Sequence, residues 1–231
     1  MADTAEIKVL SSIATREAYL ELVPQFERAS GHKVATTWAG TTDIMKRMAE
    51  GERYDLVMIS SAELDELIRQ GRIVAGSRVD IAKSGIGVAV RAGAPRPDIS
   101  SGEALKAALL AARTVGYTSG PSGVYMAALI ERMGIAAAVK PKHRGVPSGG
   151  TIGTIVASGE AEIGFQQVSE LVHISGIDYI GPLPPDVQKV TVFSSGIHVG
   201  ATNPDAAKAL VRFLAAPAAH PAIQAAGLEL P

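Results

Sequence analysis

Apolar residues along this chain gather in short runs that end in hydroxyls, and each run is followed by a stretch with helical periodicity. Glu6–Ser12 (EIKVLSS) is one such run, with the signature of a buried parallel strand. A 3.6-residue period then covers residues 15–29, with Gly31 where a C-terminal cap belongs. Residues 34–38 predict a second strand, rich in β-branched side chains. It passes through Ala39-Gly40-Thr41-Thr42 into a helix with Asp43 in its first turn. Residues 54–59 predict a third strand leading into Ser60-Ser61. Ser60 and Glu63 have capping-box spacing for a helix ending near Gly71. The alternation β-α-β-α-β-α is that of an open, mostly parallel α/β sheet. Ligands of such sheets bind beyond the carboxyl ends of the strands. The hydroxyls there are therefore candidate donors as well as ordinary N-caps.

A second series follows. Residues 86–91 (IGVAVR) predict a strand, residues 94–99 a proline-rich link, and residues 101–112 a helix capped by Ser100 or Ser101. Residues 114–117 predict a strand, from which Thr118-Ser119-Gly120-Pro121-Ser122-Gly123 leads into a helix over residues 124–133. This repetition implies a second α/β lobe. Toward the end, a proline-rich loop at residues 181–185 precedes strands expected at 190–193 and 197–200. A helix capped by Asn203, with Pro204 at its first position, then runs to Leu214.

Between these lies the stretch over residues 147–171, PSGGTIGTIVASGEAEIGFQQVSEL. It reads as a glycine turn, a short amphipathic helix, another glycine turn and a buried strand ending in amides. Ser148, Gly149 and Thr151 put a bare, hydroxyl-flanked backbone at a helix start, where unpaired N–H groups and the helix dipole favour an anion. Neutral donors at loop tips recur along the chain: Ser11, Ser12, Thr15, Thr41, Thr42, Ser122, Gln166 and Gln167. Such donors suit reversible anion binding. Arg144, just before the turn, is placed to reach an anionic ligand, and Tyr125 lies one turn into its helix.

Bulk properties narrow the choice. The 231 residues are 47% hydrophobic and 19% charged, enough for a large globular core. The net charge of −1 gives no footprint for nucleic acid. Cysteine is absent, which removes disulfides and thiolate metal sites, and the scattered histidines have no zinc spacing. No phosphate loop, dinucleotide fingerprint or nucleophile elbow occurs, so no metal and no cofactor are expected. Ala2-Asp3-Thr4-Ala5 resembles the stub left after a signal peptidase cut, although a cytoplasmic protein beginning here fits the same residues.

The order of the pieces carries a resemblance. VLSSIATREAYLELVPQFERASGHKV, WAGTTDIMKRMAEGERYDLVMISSAELDELIRQG, GPSGVYMAALIERMG and GEAEIGFQQ resemble the periplasmic molybdate-binding proteins of ABC transporters, and more broadly extracellular solute-binding proteins. The resemblance implies a two-lobed α/β periplasmic-binding-protein fold, with a mostly parallel sheet in each lobe and the ligand in the cleft. It places residues 1–83 and 190–231 in one lobe and 84–189 in the other. It also implies a periplasmic location, a membrane permease as partner and a monomeric receptor. The family's hydroxyl and backbone donors fall on Thr41, Ser122 and Gly149. Its first-loop serine falls on Ala14, and its pocket tyrosine on Gln167. These departures enlarge the pocket and favour a di- or tricarboxylate over a molybdate-type oxyanion. The same group includes aconitate isomerases, which move a double bond by allylic proton transfer and need a base. A receptor is expected first and an isomerase second. No catalytic base is evident; Tyr125, His143 and Ser12 are the nominees.

Overall fold

The computed structural model describes residues 4–146 and 150–231. Two compact units emerge. The first runs to Lys83 and is completed by Val192–Pro231, and the second is Ser84–Thr191. The first contains β1 (Glu6–Ser12), α1 (Arg16–Ser30), β2 (Lys33–Ala39), α2 (Thr41–Ala49), β3 (Leu56–Ser60), α3 (Ser61–Arg69) and β4 (Val79–Ser84). The second contains β5 (Ile86–Arg91), α4 (Gly102–Ala111), β6 (Val115–Tyr117), α5 (Pro121–Arg132), α6 (Ala136–Val139), β7 (His143–Arg144), α7 (Ile152–Ala157), β8 (Ile163–Gln167), α8 (Val168–Leu171) and β9 (Ile177–Pro182). The chain then returns through β10 (Thr191–Ile197), α9 (Pro204–Leu214) and α10 (His220–Ala225) to the first unit.

Each unit holds a five-stranded sheet, ordered β2-β1-β3-β10-β4 in one and β7-β6-β8-β5-β9 in the other. The local plan is the same in both. β1 pairs in parallel with β2 and β3, and β6 pairs in parallel with β7 and β8. The strand beyond each trio, β10 or β5, is antiparallel to it. In both trios the first strand lies in the middle, so the winding direction reverses there and its carboxyl end marks a switch point. β3 is buried along its whole length, as a strand covered on both faces must be, whereas β2 at the edge is only partly covered. Around the first sheet, Phe26, Leu210 and Ile223 pack on one face, and Ile44, Leu64 and Leu67 form a separate cluster. The second sheet is packed by Leu105, Met126 and Leu129, and by a smaller cluster around Ile152 and Val156.

Asp55, buried just before β3, ties the first unit together by accepting from Lys8 N at 2.8 Å and from Asn203 N at 2.7 Å. Three expectations change here. The Asn203 side chain does not cap α9, because its amide donates to Glu6 O instead. The two strands expected at 190–193 and 197–200 are one strand, β10, running through Ser194-Ser195-Gly196. The proline-rich loop at 181–185 begins as the edge strand β9. Gly181 at φ 139° and a bulge opposite Val88/Ala89 carry that strand to Pro182, which needs no donor at an edge.

Candidate functional site

In the first unit, the carboxyl ends of β1 and β2 present the predicted hydroxyls. Ser11, Ser12 and Thr15 are all buried. They mainly serve one another: Thr15 Oγ1 donates to Ser12 O at 3.1 Å and lies 3.1 Å from Ser11 Oγ. Ser12 Oγ accepts from Ala14 N at 3.4 Å, a long contact at the start of a single 3-10 turn. No histidine or carboxylate bonds Ser12 among the described residues, so nothing activates it as a base or nucleophile. Thr41 and Thr42 differ. They open α2 behind Gly40, which provides no side-chain cap, and their hydroxyls make no hydrogen bond to a described residue. Ser60 does not form the expected capping box, since its hydroxyl bonds the Glu63 carboxylate rather than a backbone N–H.

In the second unit, α5 starts behind Gly120, again with no side-chain cap, with Pro121 and the buried Ser122 in its first turn. Gly123 is required by close approach, because a Cβ there would sit 1.6 Å from Thr118 O. By contrast α4, which does not follow a strand's carboxyl end directly, has the ordinary cap, Ser101 Oγ accepting from Ala104 N at 3.1 Å. Arg144 ends β7. One of its nitrogens donates to His143 O at 2.9 Å, and it makes no ion pair with a described residue. Ser148 and Gly149 lie outside the described residues.

Two nominees for a base are occupied. The Tyr125 hydroxyl donates to Val187 O at 2.8 Å and accepts from Arg132, whose guanidinium also sits over its ring. Tyr125 is thus a packing residue between α5 and the segment before β10. His143 Nε2 lies 2.9 Å from Tyr117 O, which can only accept, so that nitrogen holds the proton, and the two rings are in contact.

The paired glutamines also depart from expectation. Both are buried, and strand alternation turns them to opposite faces. Gln166 Oε1 accepts from Ile152 N at 2.7 Å, the first N–H of α7, and Gln166 Nε2 donates to Glu170 Oε2 at 2.5 Å. Gln167 points toward the segments by which the chain enters and leaves its unit. Its amide oxygen accepts from Thr191 Oγ1 at 3.1 Å and its nitrogen donates to Ser84 O at 3.0 Å. Both amides therefore have partners within the scaffold.

What the residues did not single out is Glu170. It follows β8 within α8, is partly buried, and is bonded by Gln166. Burial pushes its carboxyl up to about 7 against a smaller opposing effect of the Gln166 amide. Beside it in sequence, Ser169 Oγ is buried without a hydrogen-bond partner, as is Thr151 Oγ1 next to Ile152. The signal available was the spacing of Gln166 and Glu170 across the end of a buried strand, where a lone carboxylate is out of place.

Residues 7–229 match the family of bacterial extracellular solute-binding proteins. The chain belongs to that family. An aconitate isomerase from Pseudomonas sp. is 38% identical to this solute-binding protein over 96% of the chain and 87% of its own length. The molybdate-binding protein ModA of Azotobacter vinelandii is 27% identical over 99% of the chain and 92% of its own length. Among solved structures, the Azotobacter vinelandii periplasmic molybdate-binding protein superposes with a TM-score of 0.79 at 20% identity, covering 97% of this chain and 99% of that one. The sulfate-binding protein SubI from Mycobacterium tuberculosis does so with a TM-score of 0.78 at 18% identity, covering 99% and 87%. At those identities the structures show the fold, which is the one the resemblance implied.

Proposed function

We propose that this solute-binding protein takes a small tricarboxylate of the aconitate type as its ligand. The observation that carries this reading is the 38% identity to an aconitate isomerase across nearly the whole chain, against 27% to a molybdate-binding protein. The donors support it. Each unit offers donors of its own: Thr41 and Thr42 in the first, and in the second the open first turn of α5 at Ser122 with Arg144, a cation without an ion-pair partner among the described residues. A trianion is held more strongly by charge-assisted bonds to such donors than a neutral solute would be. As a member of its family, the protein is proposed to act in the periplasm, and a receptor's bound ligand would pass to an ABC-transporter permease. Conversion of the ligand where it sits is the second fate, favoured by the buried carboxyl of Glu170 at the end of β8.

Thermal unfolding with a panel of anions tests the ligand. A ligand that binds only the native state raises the melting temperature with its concentration. trans-Aconitate, cis-aconitate or citrate is expected to raise it at millimolar concentration, with molybdate, tungstate and sulfate leaving it unchanged. A shift with an inorganic oxyanion alone would refute the tricarboxylate reading.

A further inference from the structure

We infer that the Glu170 carboxyl takes the allylic proton from a bound tricarboxylate and returns it at the far end of the double-bond system. This rests on the ligand class proposed above. The geometry begins with Gln166, whose two ends are both fixed, one by Ile152 N and the other by Glu170 Oε2. The amide therefore holds one carboxylate oxygen and fixes the side chain's orientation. Glu170 Oε1 makes no hydrogen bond to a described residue, and part of the side chain remains accessible. α8 begins directly at the carboxyl end of the parallel strand β8, the end at which α/β sheets hold ligands. Two further groups at that end lack protein partners among the described residues: Ser169 Oγ, on a residue only 4% exposed, and Thr151 Oγ1. Buried hydroxyls are nearly always paired. Each hydroxyl adjoins in sequence a residue of the Gln166 hydrogen-bond chain, Ile152 or Glu170, and keeps bonding capacity that the described residues leave unused.

The chemistry fits these groups. Glu170 removes a proton from the methylene carbon of the substrate, and the released electron pair spreads over the three-carbon allylic system and its carboxylates. A proton on Glu170, either the one it removed or one exchanged with solvent in the meantime, is delivered to the former vinylic carbon. The double bond then joins the central carbon to the carbon that lost its proton. Nothing is gained or lost overall, and no oxidant or cofactor is needed.

The surroundings suit a base that works near neutrality. No charged group contributes to the shift of Glu170, which comes from burial. The elements packed against α8 bring few charges: α7 and β8 carry no titratable side chain, and β5 carries only Arg91, at the opposite end from Ile86, the residue that pairs with Gln167. A carboxylate whose proton affinity is raised toward the working pH is a stronger base than an ordinary glutamate and still returns its proton readily. Other described carboxylates are differently placed; Glu162, for example, is exposed and bound to Arg113.

The test is proton NMR of trans-aconitate in deuterium oxide with the purified protein, run beside thermal shift. The wild type is expected to exchange the allylic hydrogen and form cis-aconitate, with a rate that rises through a pKa near neutrality. Glu170→Gln is expected to keep the trans-aconitate thermal shift while losing exchange by about 100-fold or more. Full exchange by a folded Glu170→Gln variant would overturn the inference. So would a wild type that binds aconitate with neither exchange nor conversion, although the ligand reading would then stand. If aconitate does not bind the wild type at all, the ligand reading fails and this inference fails with it. Should Glu170→Gln not fold, Glu170→Asp keeps the charge but withdraws it by one methylene. A large loss of rate with binding kept supports the role, and an unchanged rate overturns it.

Discussion

At the scale of single residues, two glycines three positions apart do different jobs. Gly120 is the N-cap of α5 with an extended backbone, and a Cβ there would approach Thr118 Oγ1 no closer than 3.5 Å. Gly123 lets the Thr118 carbonyl lie against the helix, and its Cβ would meet that oxygen at 1.6 Å. Replacing Gly123 with Ala should therefore displace the Thr118 loop and cost roughly 1–3 kcal/mol or more, as overpacking does. Gly120→Ala should change stability by well under about 1 kcal/mol. Urea unfolding of both variants decides this, and equal midpoints would sink the distinction. The glutamines teach a related lesson. Reading Gln166 and Gln167 as ligand contacts treated the end of a strand as though every polar side chain there faced outward. Strand alternation sends them to opposite faces, and each is bonded within the scaffold, Gln166 to Ile152 N and Glu170, Gln167 to Thr191 and Ser84.

Among elements, the strands and helices legible in the sequence were those with strong local signals. β1 has a continuous apolar core and appears over the predicted residues, and α1 ends at Gly31 with φ 77° as its cap predicted. β4 and β9 were missed because they are partly exposed along much of their length, with polar residues and a proline that read as loop. β10 was split in two because Ser194-Ser195-Gly196 looks like a turn. The glycine is there for packing, since a Cβ at Gly196 would come within 2.6 Å of Ile73, and Ser194 Oγ is held by Asp80 at 2.6 Å. Long-range pairing, invisible to local pattern, decided each case. The same holds where β5 begins. Gln188 Oε1 accepts from Ile86 N at 2.9 Å and Gln188 Nε2 donates to Ile86 O at 3.0 Å, so a side-chain amide acts as one more residue of the ladder. Gln188→Leu would leave the N–H of the fully buried Ile86 without a partner. A loss of about 1–3 kcal/mol is expected by denaturant unfolding. An unchanged midpoint would show that solvent replaces the amide.

For the whole molecule, Glu170 links stability to pH with a definite sign. Its carboxyl titrates at about 7 in the folded chain against 4.5 as the ordinary value. Between those values the native state holds a proton that the unfolded state has released. Stability is therefore fully present below about pH 4.5 and falls as pH rises through 7, by roughly 3 kcal/mol from this group. His198 acts the other way. Burial, followed by the charges of Arg72 and Arg53, holds its imidazole below the ordinary 6.5, so its contribution is present above that pH and is lost on acidification. The raw melting curve sums both, whereas the difference between wild type and Glu170→Gln isolates the carboxyl. The wild type is expected to lose several degrees of melting temperature, roughly 5–10 °C, between pH 5 and 8 relative to the variant. A difference that stays flat over that range would mean that Glu170 titrates in the ordinary carboxylate range. The proton-transfer role would then lose the physical support that burial gives it, although the NMR exchange experiment would still judge it directly.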